Sequence, residues 1–519
     1  MSLIKSTAVV SAMTLLSRIL GLARDIVFAY VFRVGGATDA FFIAFKIPNF
    51  LRRLFAEGAF SQSFVPVLAE YKVQRTHEEV ADLTRQVAGT LAGVLLLLTL
   101  LVVIATPLFV LLIAWGYIGD EAQLDLTARM LRITFPYILF ISLTALASGV
   151  LNTYGRFAVP AVTPVLLNIS LIGCALWLSP RMEQPVMALA WGVFIAGVAQ
   201  LGFQLPFLAR LGLLRWPRWG LAHAGVRRIM QLMLPGIVGS SAMQINLLFD
   251  IMIATFLVEG SISWLYYSDR MMEFPLGVFG IALATVILPN LSEKHARAEP
   301  EGFSRMLDWG VRWVVLIGLP AAVGLGVLAG PILATLFFRG AFTAHDVTMA
   351  SYSLFAYAFG LLGFMLVKVL VPGYFARQDT RTPVRVGLIA MAVNMIGNVL
   401  AVLALLWLDF PGPHMGLAMA TAFSSLVNAG LLWRGLRRQG VYRPADGWGR
   451  LLVQVAIAGA GMGLVLWWLG GDLADWLVAG TWPRIVRLAW LVPLGAAVYV
   501  VLLWLQGVRL SRLRRPLIG

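Results

Sequence analysis

The stretch VAGTLAGVLLLLTLLVVIATPLFVLLIA, residues 87–114, contains no charged residue in 28 positions. A helix that crosses a bilayer needs about 20 mostly apolar residues, because the hydrocarbon core is about 30 Å thick. This stretch therefore predicts a membrane-spanning helix, and the same pattern recurs along the chain. In all, the sequence predicts fourteen spans, near residues 7–32, 37–60, 87–114, 130–152, 160–179, 186–208, 229–258, 266–290, 311–337, 350–374, 385–408, 414–433, 451–470 and 485–506.

The composition agrees with a membrane protein. Of the 519 residues, 60% are hydrophobic and 13% are charged, whereas a soluble domain is about 45–50% apolar and about 25% charged. This composition excludes a soluble enzyme. The single cysteine, Cys174, excludes an internal disulfide framework and a cysteine-built metal site, and the five histidines match no metal-ligand spacing.

The excess of basic residues carries information on topology. The chain has 40 Lys and Arg against 25 Asp and Glu, a net charge of +15. In a soluble protein this excess would suggest a nucleic-acid partner, but in a membrane protein Lys and Arg accumulate in cytoplasmic loops. With fourteen spans, the termini and alternate loops hold 26 basic residues on one side and 5 on the other. We therefore expect both termini in the cytoplasm and no nucleic-acid partner.

An internal repeat is found when the chain is compared with itself at an offset of 223 residues. FVPVLAE (64–70) then aligns with ILPNLSE (287–293), and Pro160 aligns with Pro383. The offset covers six spans, an even number, so the two halves have the same orientation in the membrane. Many transporters consist of two such repeats with the substrate site between them.

The predicted fold class follows from the spans and the repeat. It is an all-α polytopic membrane protein of about 14 transmembrane helices, with two parallel six-helix lobes and two C-terminal helices. The predicted domains are an N-lobe at 1–222, a C-lobe at 223–445, and the last two helices with a basic cytoplasmic tail at 446–519.

Charged residues inside spans cost about 2.5–3.5 kcal/mol each on insertion scales, and they mark functional sites. The first two spans carry five basic and three acidic residues: Arg18, Arg24, Asp25, Asp39, Lys46, Arg52, Arg53 and Glu57. The second half carries Asp250, Asp269, Arg270, Glu273 and Lys368. Because internal pairing neutralises only part of the first set, we predict a water-filled cavity in which arginines bind an anionic substrate. The planar fork of arginine suits bidentate contacts with phosphate oxygens.

Two other interpretations of these charges stay open. Internal salt bridges that hold the bundle together are the alternative for Asp25, Arg53, Glu57 and Asp269. Two pairs have the spacing for such bridges on one helix, Arg53 with Glu57 at i,i+4 and Arg270 with Glu273 at i,i+3. A position at the level of the lipid headgroups is the alternative for two further charges, Asp39 and Lys46.

Five segments carry a resemblance to known proteins. They are SRILGLARD (17–25), ATDAFFIAFKIPNFLRRLFAEGAFSQSFVPVLAEY (37–71), FPYILFISL (135–143), SWLYYSDRMMEFPLGVFGIALATVILP (263–289) and KVLVPGYFARQDTRTPV (368–384). They resemble the MurJ (MviN) lipid II flippase family over residues 1–445. The resemblance implies the fold of the multidrug/oligosaccharidyl-lipid/polysaccharide exporter superfamily. It also implies a substrate, the undecaprenyl-pyrophosphate-linked peptidoglycan precursor, which is moved from the inner to the outer leaflet.

The resemblance also implies site residues. The family's essential arginines correspond to Arg18, Arg24, Arg52 and Arg270, and its other cavity-lining polar positions to Asp25, Asp39, Asn49, Ser263 and Glu273. The sodium-binding positions of some members correspond to Asp250, Asn394, Asn398 and Thr421. Asn398 replaces a second carboxylate of that pattern, so an interhelical hydrogen-bond cluster is the alternative. The last two helices would form a groove for the polyprenyl tail, or simply pack against lipid.

We therefore expect a bacterial inner-membrane transporter, not an enzyme, that works by alternating access with the pyrophosphate held by cavity arginines. Its expected partners are lipid II and membrane lipid. We expect a monomer without a cofactor, driven by the membrane potential or by coupling to Na⁺ or H⁺. The alternative is a cation-coupled exporter of the same superfamily that acts on drugs or on other polyprenyl-linked oligosaccharides. A membrane enzyme would need a catalytic carboxylate or histidine cluster, and the short outer loops contain none.

Overall fold

A computed structural model of the chain describes residues 3–52 and 60–508, without the side chains of residues 3–8, 235–244, 281, 282 and 284. Over these residues the chain is helical, with no strand. It divides into two compact units, residues 1–260 (unit 1) and 261–519 (unit 2). The predicted pair of Arg53 and Glu57 lies outside the described residues.

Unit 1 contains ten α-helices within its described residues, and a 3₁₀ turn at Trp115–Tyr117. The helices are α1 (Leu3–Val31), α2 (Gly36–Arg52), α3 (Phe60–Gln74), α4 (His77–Ile104), α5 (Thr106–Ile113), α6 (Glu121–Thr134), α7 (Tyr137–Thr153), α8 (Ala158–Gly173), α9 (Met187–Arg210) and α10 (Ala224–Ala254).

Unit 2 also contains ten α-helices, up to the last described residue. They are α11 (Ser261–Pro275), α12 (Ile281–Ala296), α13 (Pro300–Val327), α14 (Ala329–Leu336), α15 (Ala344–Phe375), α16 (Arg381–Trp407), α17 (Met415–Arg438), α18 (Trp448–Gly470), α19 (Leu473–Val478) and α20 (Thr481–Leu505).

The polytopic membrane class is confirmed by the length and composition of these helices. Within the described residues, ten segments are long and apolar enough to cross a membrane, or eleven if the bent pair of α11 and α12 is one span. The predicted spans that are not among them are the first, second and seventh, which correspond to α1, α2 and α10. The first two contain most of the intramembrane charges, which lower their apolar character. The count of fourteen spans stays a prediction.

The helix boundaries repeat at the offset found in the sequence. Helices α4 and α13 begin at residues 77 and 300, and α8 and α16 begin at residues 158 and 381, so each pair differs by 223 positions. The pairs α5 with α14 and α6 with α15 differ by the same number. This regular spacing is what two parallel repeats require.

Compactness divides the chain at a different place from the predicted lobe boundary at residue 222. Helix α10 lies within unit 1 because its first turns pack into the core that α3, α4 and α7 form. Val226, Ile229 and Met233 are the α10 side chains in this core. A boundary between repeats and a boundary between compact units are different properties, and the predicted domain limits stay predictions.

Helices α15 and α17 pack closely because glycines remove side chains from their contact. A Cβ on Gly360 would lie 2.6 Å from the Cα of Ala422, and one on Gly363 would lie 2.6 Å from Ser425 Oγ. Ser425 Oγ in turn donates to the carbonyl of Gly360 at 3.0 Å. In lipid the hydrophobic effect does not drive helices together, because the lipid tails are as apolar as the side chains. Helices there associate through close packing of small residues and through hydrogen bonds such as this one.

Asp308 fixes the start of α18 within unit 2. Its side chain is buried on α13 and accepts hydrogen bonds from Tyr442 Oη at 2.9 Å and from Trp448 Nε1 at 2.7 Å. Its second oxygen pairs with Arg312 Nε at 2.7 Å. Since Tyr442 precedes α18 and Trp448 begins it, this one carboxylate fixes the start of α18 against α13.

Candidate functional site

Arg24 and Asp25 form a buried ion pair on α1. The two residues are 4% and 2% exposed. Arg24 Nε and Nη2 donate to Asp25 Oδ1 at 2.9 and 2.7 Å, and the guanidinium carbon lies 5.6 Å from the centre of the Phe28 ring. Removal of one member of such a pair leaves a buried charge at a cost of about 3–5 kcal/mol. The internal salt bridge is therefore present here, and the substrate role of Arg24 stays a prediction.

Asn168 on α8 is a third member of this group and was not predicted from the sequence. Its Oδ1 accepts from Arg24 Nη1 at 3.2 Å, and its Nδ2 donates to the carbonyl of Ser17 at 3.1 Å. The amide therefore joins α8 to α1 and orients the guanidinium. The available signal was a single amide within the apolar run LLNISLI (166–172), since a polar side chain inside a span generally has a partner on another helix.

The other two arginines of unit 1 have different surroundings. Arg18 is exposed on α1 and makes no hydrogen bond or ion pair with the described residues. Arg52 is partly buried at the end of α2, where its Nε and Nη2 donate to Asn49 Oδ1 at 3.0 and 2.8 Å. Because an amide oxygen is neutral, this contact orients the guanidinium without supplying a negative charge.

Unit 2 contributes Arg270, Glu273 and Ser263, all on α11. Arg270 Nη1 and Glu273 Oε2 form an ion pair at 3.1 Å, as the i,i+3 spacing predicts, and their side chains are 36% and 45% exposed. The guanidinium carbon of Arg270 lies 5.4 Å from the centre of the Tyr266 ring. Ser263 is fully buried. A pair this exposed contributes about 0–1 kcal/mol, and the substrate role of Arg270 stays a prediction.

Asp39 holds the segment that follows α10. The residue is 2% exposed, and its Oδ2 accepts from the Gly260 N–H at 2.7 Å. Next to it, Glu259 Oε2 accepts from the Gly36 N–H at 3.2 Å, and Gln123 Nε2 donates to the Gly36 carbonyl. Carboxylates at the first turn of a helix are favoured by the helix dipole. Asp39 thus joins the start of α2 to residues 259–260 and does not extend towards solvent.

The 3₁₀ turn at Trp115–Tyr117 packs beside this contact. Burial raises the pKa of the Tyr117 hydroxyl well above its usual value, and the negative charges of Asp39 and Glu259 raise it further. The Gly116 N–H donates to Thr255 Oγ1 at 3.0 Å, and a Cβ on Gly116 would lie 2.2 Å from the Thr255 carbonyl carbon. Glycine at this position therefore allows the turn to lie directly on the end of α10.

Three of the four candidate cation ligands bind one another. Asn394 Nδ2 donates to Thr421 Oγ1, and Asn398 Nδ2 donates to Asn394 Oδ1, each at 3.1 Å. Asn394 Oδ1 and Thr421 Oγ1 each accept one of these hydrogen bonds, which is the interhelical cluster that the sequence offers as the alternative, and the sodium site stays a prediction. Asp250 belongs to unit 1 and is partly buried on α10. Among the described residues, no group of three His, Cys, Asp or Glu side chains is placed to hold a metal ion.

Sequence comparison finds relatives over almost the whole chain. The family model described as lipid II flippase MurJ matches residues 28–486. A probable lipid II flippase MurJ of Vibrio cholerae is 50% identical over 519 residues, which is 99% of this chain and 98% of the relative. A lipid II flippase MurJ of Burkholderia cenocepacia is 40% identical over 521 residues, 99% of each chain.

Solved structures have the same fold. A lipid II flippase MurJ in an inward closed conformation matches with a TM-score of 0.78 at 26% identity, over 95% of this chain and 97% of that one. An inward-facing multidrug transporter of the MATE family and the MOP superfamily matches with a TM-score of 0.65 at 14% identity, over 82% and 95%, and supports the fold alone. The chain belongs to the lipid II flippase MurJ family.

Proposed function

We propose that this chain moves lipid II from the inner to the outer leaflet of the bacterial inner membrane. The observation that carries the proposal is the match of the family model to residues 28–486. Membership of this family makes the chain a multi-pass membrane transporter and not an enzyme. The name of the relatives describes what they transport, and the extensive identity supports the same substrate here.

In this proposal four arginines, Arg18, Arg24, Arg52 and Arg270, bind the pyrophosphate of the substrate. Pyrophosphate offers several charged oxygens, and guanidinium groups bind such oxygens in pairs. Asn49 supports the proposal because it orients Arg52 for an incoming ligand. Asp39 and Ser263 are buried on α2 and α11, the helices that carry Arg52 and Arg270.

Asp25 and Glu273 occupy the arginines when no substrate is bound. Each carboxylate binds its arginine through one oxygen, so a pyrophosphate can replace it and keep the guanidinium paired. In the empty carrier the buried charge of Arg24 is therefore compensated, whereas an unpaired charge at that position would cost about 3–5 kcal/mol. The carboxylates thus lower the barrier for the return of the empty carrier.

The transport cycle in this proposal is alternating access, helped by the membrane potential. With the interior negative, outward movement of an anion gains about 2.3 kcal/mol per charge for each 100 mV. The chain acts as a monomer with both termini in the cytoplasm, and it needs neither a cofactor nor a nucleic-acid partner. Coupling to Na⁺ or H⁺ stays a prediction beside the effect of the potential.

The test is translocation of labelled lipid II by the purified chain in proteoliposomes, with and without an imposed potential. Arg24→Ala and Arg270→Ala should each abolish translocation while the protein inserts normally. The matched control is Arg297→Ala, because the pair of Arg297 with Glu293 is 63% and 55% exposed and should matter little. Retained translocation in both variants would overturn the role of the arginines. Drug efflux without lipid II movement would favour the alternative exporter.

A further inference from the structure

Unit 2 contains a cavity that none of the predicted site residues lines. Its volume is about 280 Å³, and it lies where α13 breaks into α14, beside the first turns of α15 and the end of α18. Its walls are formed by glycines, which leave space because they have no side chain, and by aromatic rings. These residues are Gly326, Gly330, Gly470, Tyr352, Phe355 and Trp467. Phe355 is 44% exposed and Trp467 is 70% exposed. The cavity therefore opens on a surface that membrane lipid reaches.

Two opposite charges lie at one edge of this cavity without pairing with each other. Arg487 Nη2 is 3.0 Å and Asp475 Oδ2 is 3.3 Å from the position of a Cβ on Gly471, which lines the cavity. Arg487 Nη2 donates to the carbonyls of Gly470 and Leu469 at 2.9 and 3.2 Å. Its Nε and Nη1 make no hydrogen bond with the part of the chain that the structure describes, and Asp475 is exposed.

Two further arginines at this end of unit 2 bind the end of a different helix, α14. Arg484 is 6% exposed and donates to the carbonyls of Ala334 and Phe338 at 2.8 and 3.0 Å. Arg339 donates to the carbonyl of Thr335 at 2.7 Å. Both therefore neutralise the carbonyl end of α14, as cations at helix C-termini do. Arg487 and Asp475 instead lie beside Gly471, which lines the cavity.

We propose that this cavity binds a zwitterionic glycerophospholipid, phosphatidylethanolamine. One acyl chain fills the cavity, the phosphate binds Arg487 Nε and Nη1, and the ammonium group binds Asp475. At about 30 Å³ for a group the size of water, the cavity holds about nine methylene groups, so the rest of the chain lies in the bilayer. Phosphatidylglycerol has the phosphate but no ammonium group. It would leave the Asp475 carboxylate facing a like charge, and the site should discriminate against it.

The experiment measures lipid bound to the purified full chain by native mass spectrometry, after incubation with equal amounts of phosphatidylethanolamine and phosphatidylglycerol. We expect one retained lipid per chain, with phosphatidylethanolamine in excess. Gly326→Leu should reduce it to background. A Cβ at that position lies 3.7 Å from Ala358 and from Phe355, so a larger side chain enters the cavity without moving the backbone. Asp475→Asn should reduce the preference for phosphatidylethanolamine by up to about fivefold, the range of an exposed ion pair.

Glu183→Gln, which removes an exposed carboxylate in unit 1, is the matched control and should leave the bound lipid unchanged. Equal retention of the two lipids by the wild-type chain would overturn the proposal. So would unchanged retention in Gly326→Leu, or a polyprenyl lipid that displaces phosphatidylethanolamine from the wild-type chain. If Gly326→Leu does not fold, the exposed Asp475→Asn variant still decides the question. The readout is bound lipid, so the result does not depend on whether the chain transports lipid II.

Discussion

The Asp25→Asn variant tests whether Asp25 competes with the substrate for Arg24 or only positions Arg24. The substitution keeps the shape of Asp25 and one acceptor oxygen, but it removes the negative charge that faces Arg24, a residue that is 4% exposed. Two hydrogen bonds, of 2.9 and 2.7 Å, lose their charged acceptor. Loss of one member of a buried pair costs about 3–5 kcal/mol. We therefore expect a lower free energy of unfolding without substrate, seen as a lower Tm.

Binding of lipid II should change in the opposite direction. In the proposed function the pyrophosphate displaces Asp25 from Arg24, so removal of this competitor tightens binding. A hydrogen bond to a charged group contributes about 1.5–3 kcal/mol, and a gain of about 1.4 kcal/mol lowers Kd tenfold. We expect at least this change in Asp25→Asn, together with slower translocation, because a tighter site releases its ligand more slowly. Equilibrium binding of fluorescent lipid II in nanodiscs and translocation in proteoliposomes measure the two effects.

Asn168→Ala is the matched control for this variant. It removes the 3.2 Å hydrogen bond to Arg24 Nη1 and leaves the charges unchanged. It should destabilise the protein by about 1.5–3 kcal/mol and should not tighten the binding of lipid II, because Asp25 still competes for Arg24. If Asp25→Asn instead weakens binding as much as Arg24→Ala does, then Asp25 only positions Arg24, and the reasoning about exchange is wrong.

Three further predictions concern unit 2. Glu273→Gln should change the free energy of unfolding by less than about 1 kcal/mol, because its pair with Arg270 is half exposed; thermal unfolding checks this, and a larger loss would contradict it. Asp308→Ala should cost about 3–5 kcal/mol, since a buried carboxylate with three side-chain partners is removed; denaturation followed by Trp fluorescence measures it. Burial lowers the pKa of His414, just before α17, to about 4 from 6.5, so the unfolded chain binds the proton first. Stability should fall by up to about 3 kcal/mol as the pH drops from 6.5 to 4, and His414→Gln should remove that part of the pH dependence.

Apolar runs predicted where most of the candidate membrane-spanning helices lie but not where those helices begin. The third span was predicted at 87–114, whereas α4 begins at His77 and a break at Ala105 separates it from α5. The first turns of α4 are polar and contain a capping box in which Thr76 and Glu79 bind each other's backbone N–H. Such a cap stabilises a helix in water as well as in lipid. Hydropathy reports only the part of the helix inside the membrane, so the polar turns were not part of the prediction.

Pairs of charges could be predicted only where helix geometry alone brings them together. The i,i+3 spacing placed Arg270 and Glu273 on one face of a helix, and the pair is present. Adjacent residues on a helix do not face each other, so no spacing rule predicts the ion pair between Arg24 and Asp25. Its contact with Asn168 joins residues 144 positions apart in the sequence. Contacts of this kind depend on which helices pack together, and hydropathy does not contain that information.

The count of charges predicts that an anion finds excess positive charge, but burial decides the cost of reaching each arginine. Arg18 is exposed. An anion that binds Arg270 must break the half-exposed ion pair with Glu273, which costs about 0–1 kcal/mol. An anion that binds Arg24 must break the buried ion pair with Asp25. Breaking that pair without supplying another negative charge would cost about 3–5 kcal/mol. An anion should therefore engage the exposed arginines first, and only a ligand with enough charged oxygens to replace Asp25 should engage Arg24. The Asp25→Asn substitution should therefore change the affinity for a single phosphate group more than it changes the affinity for pyrophosphate.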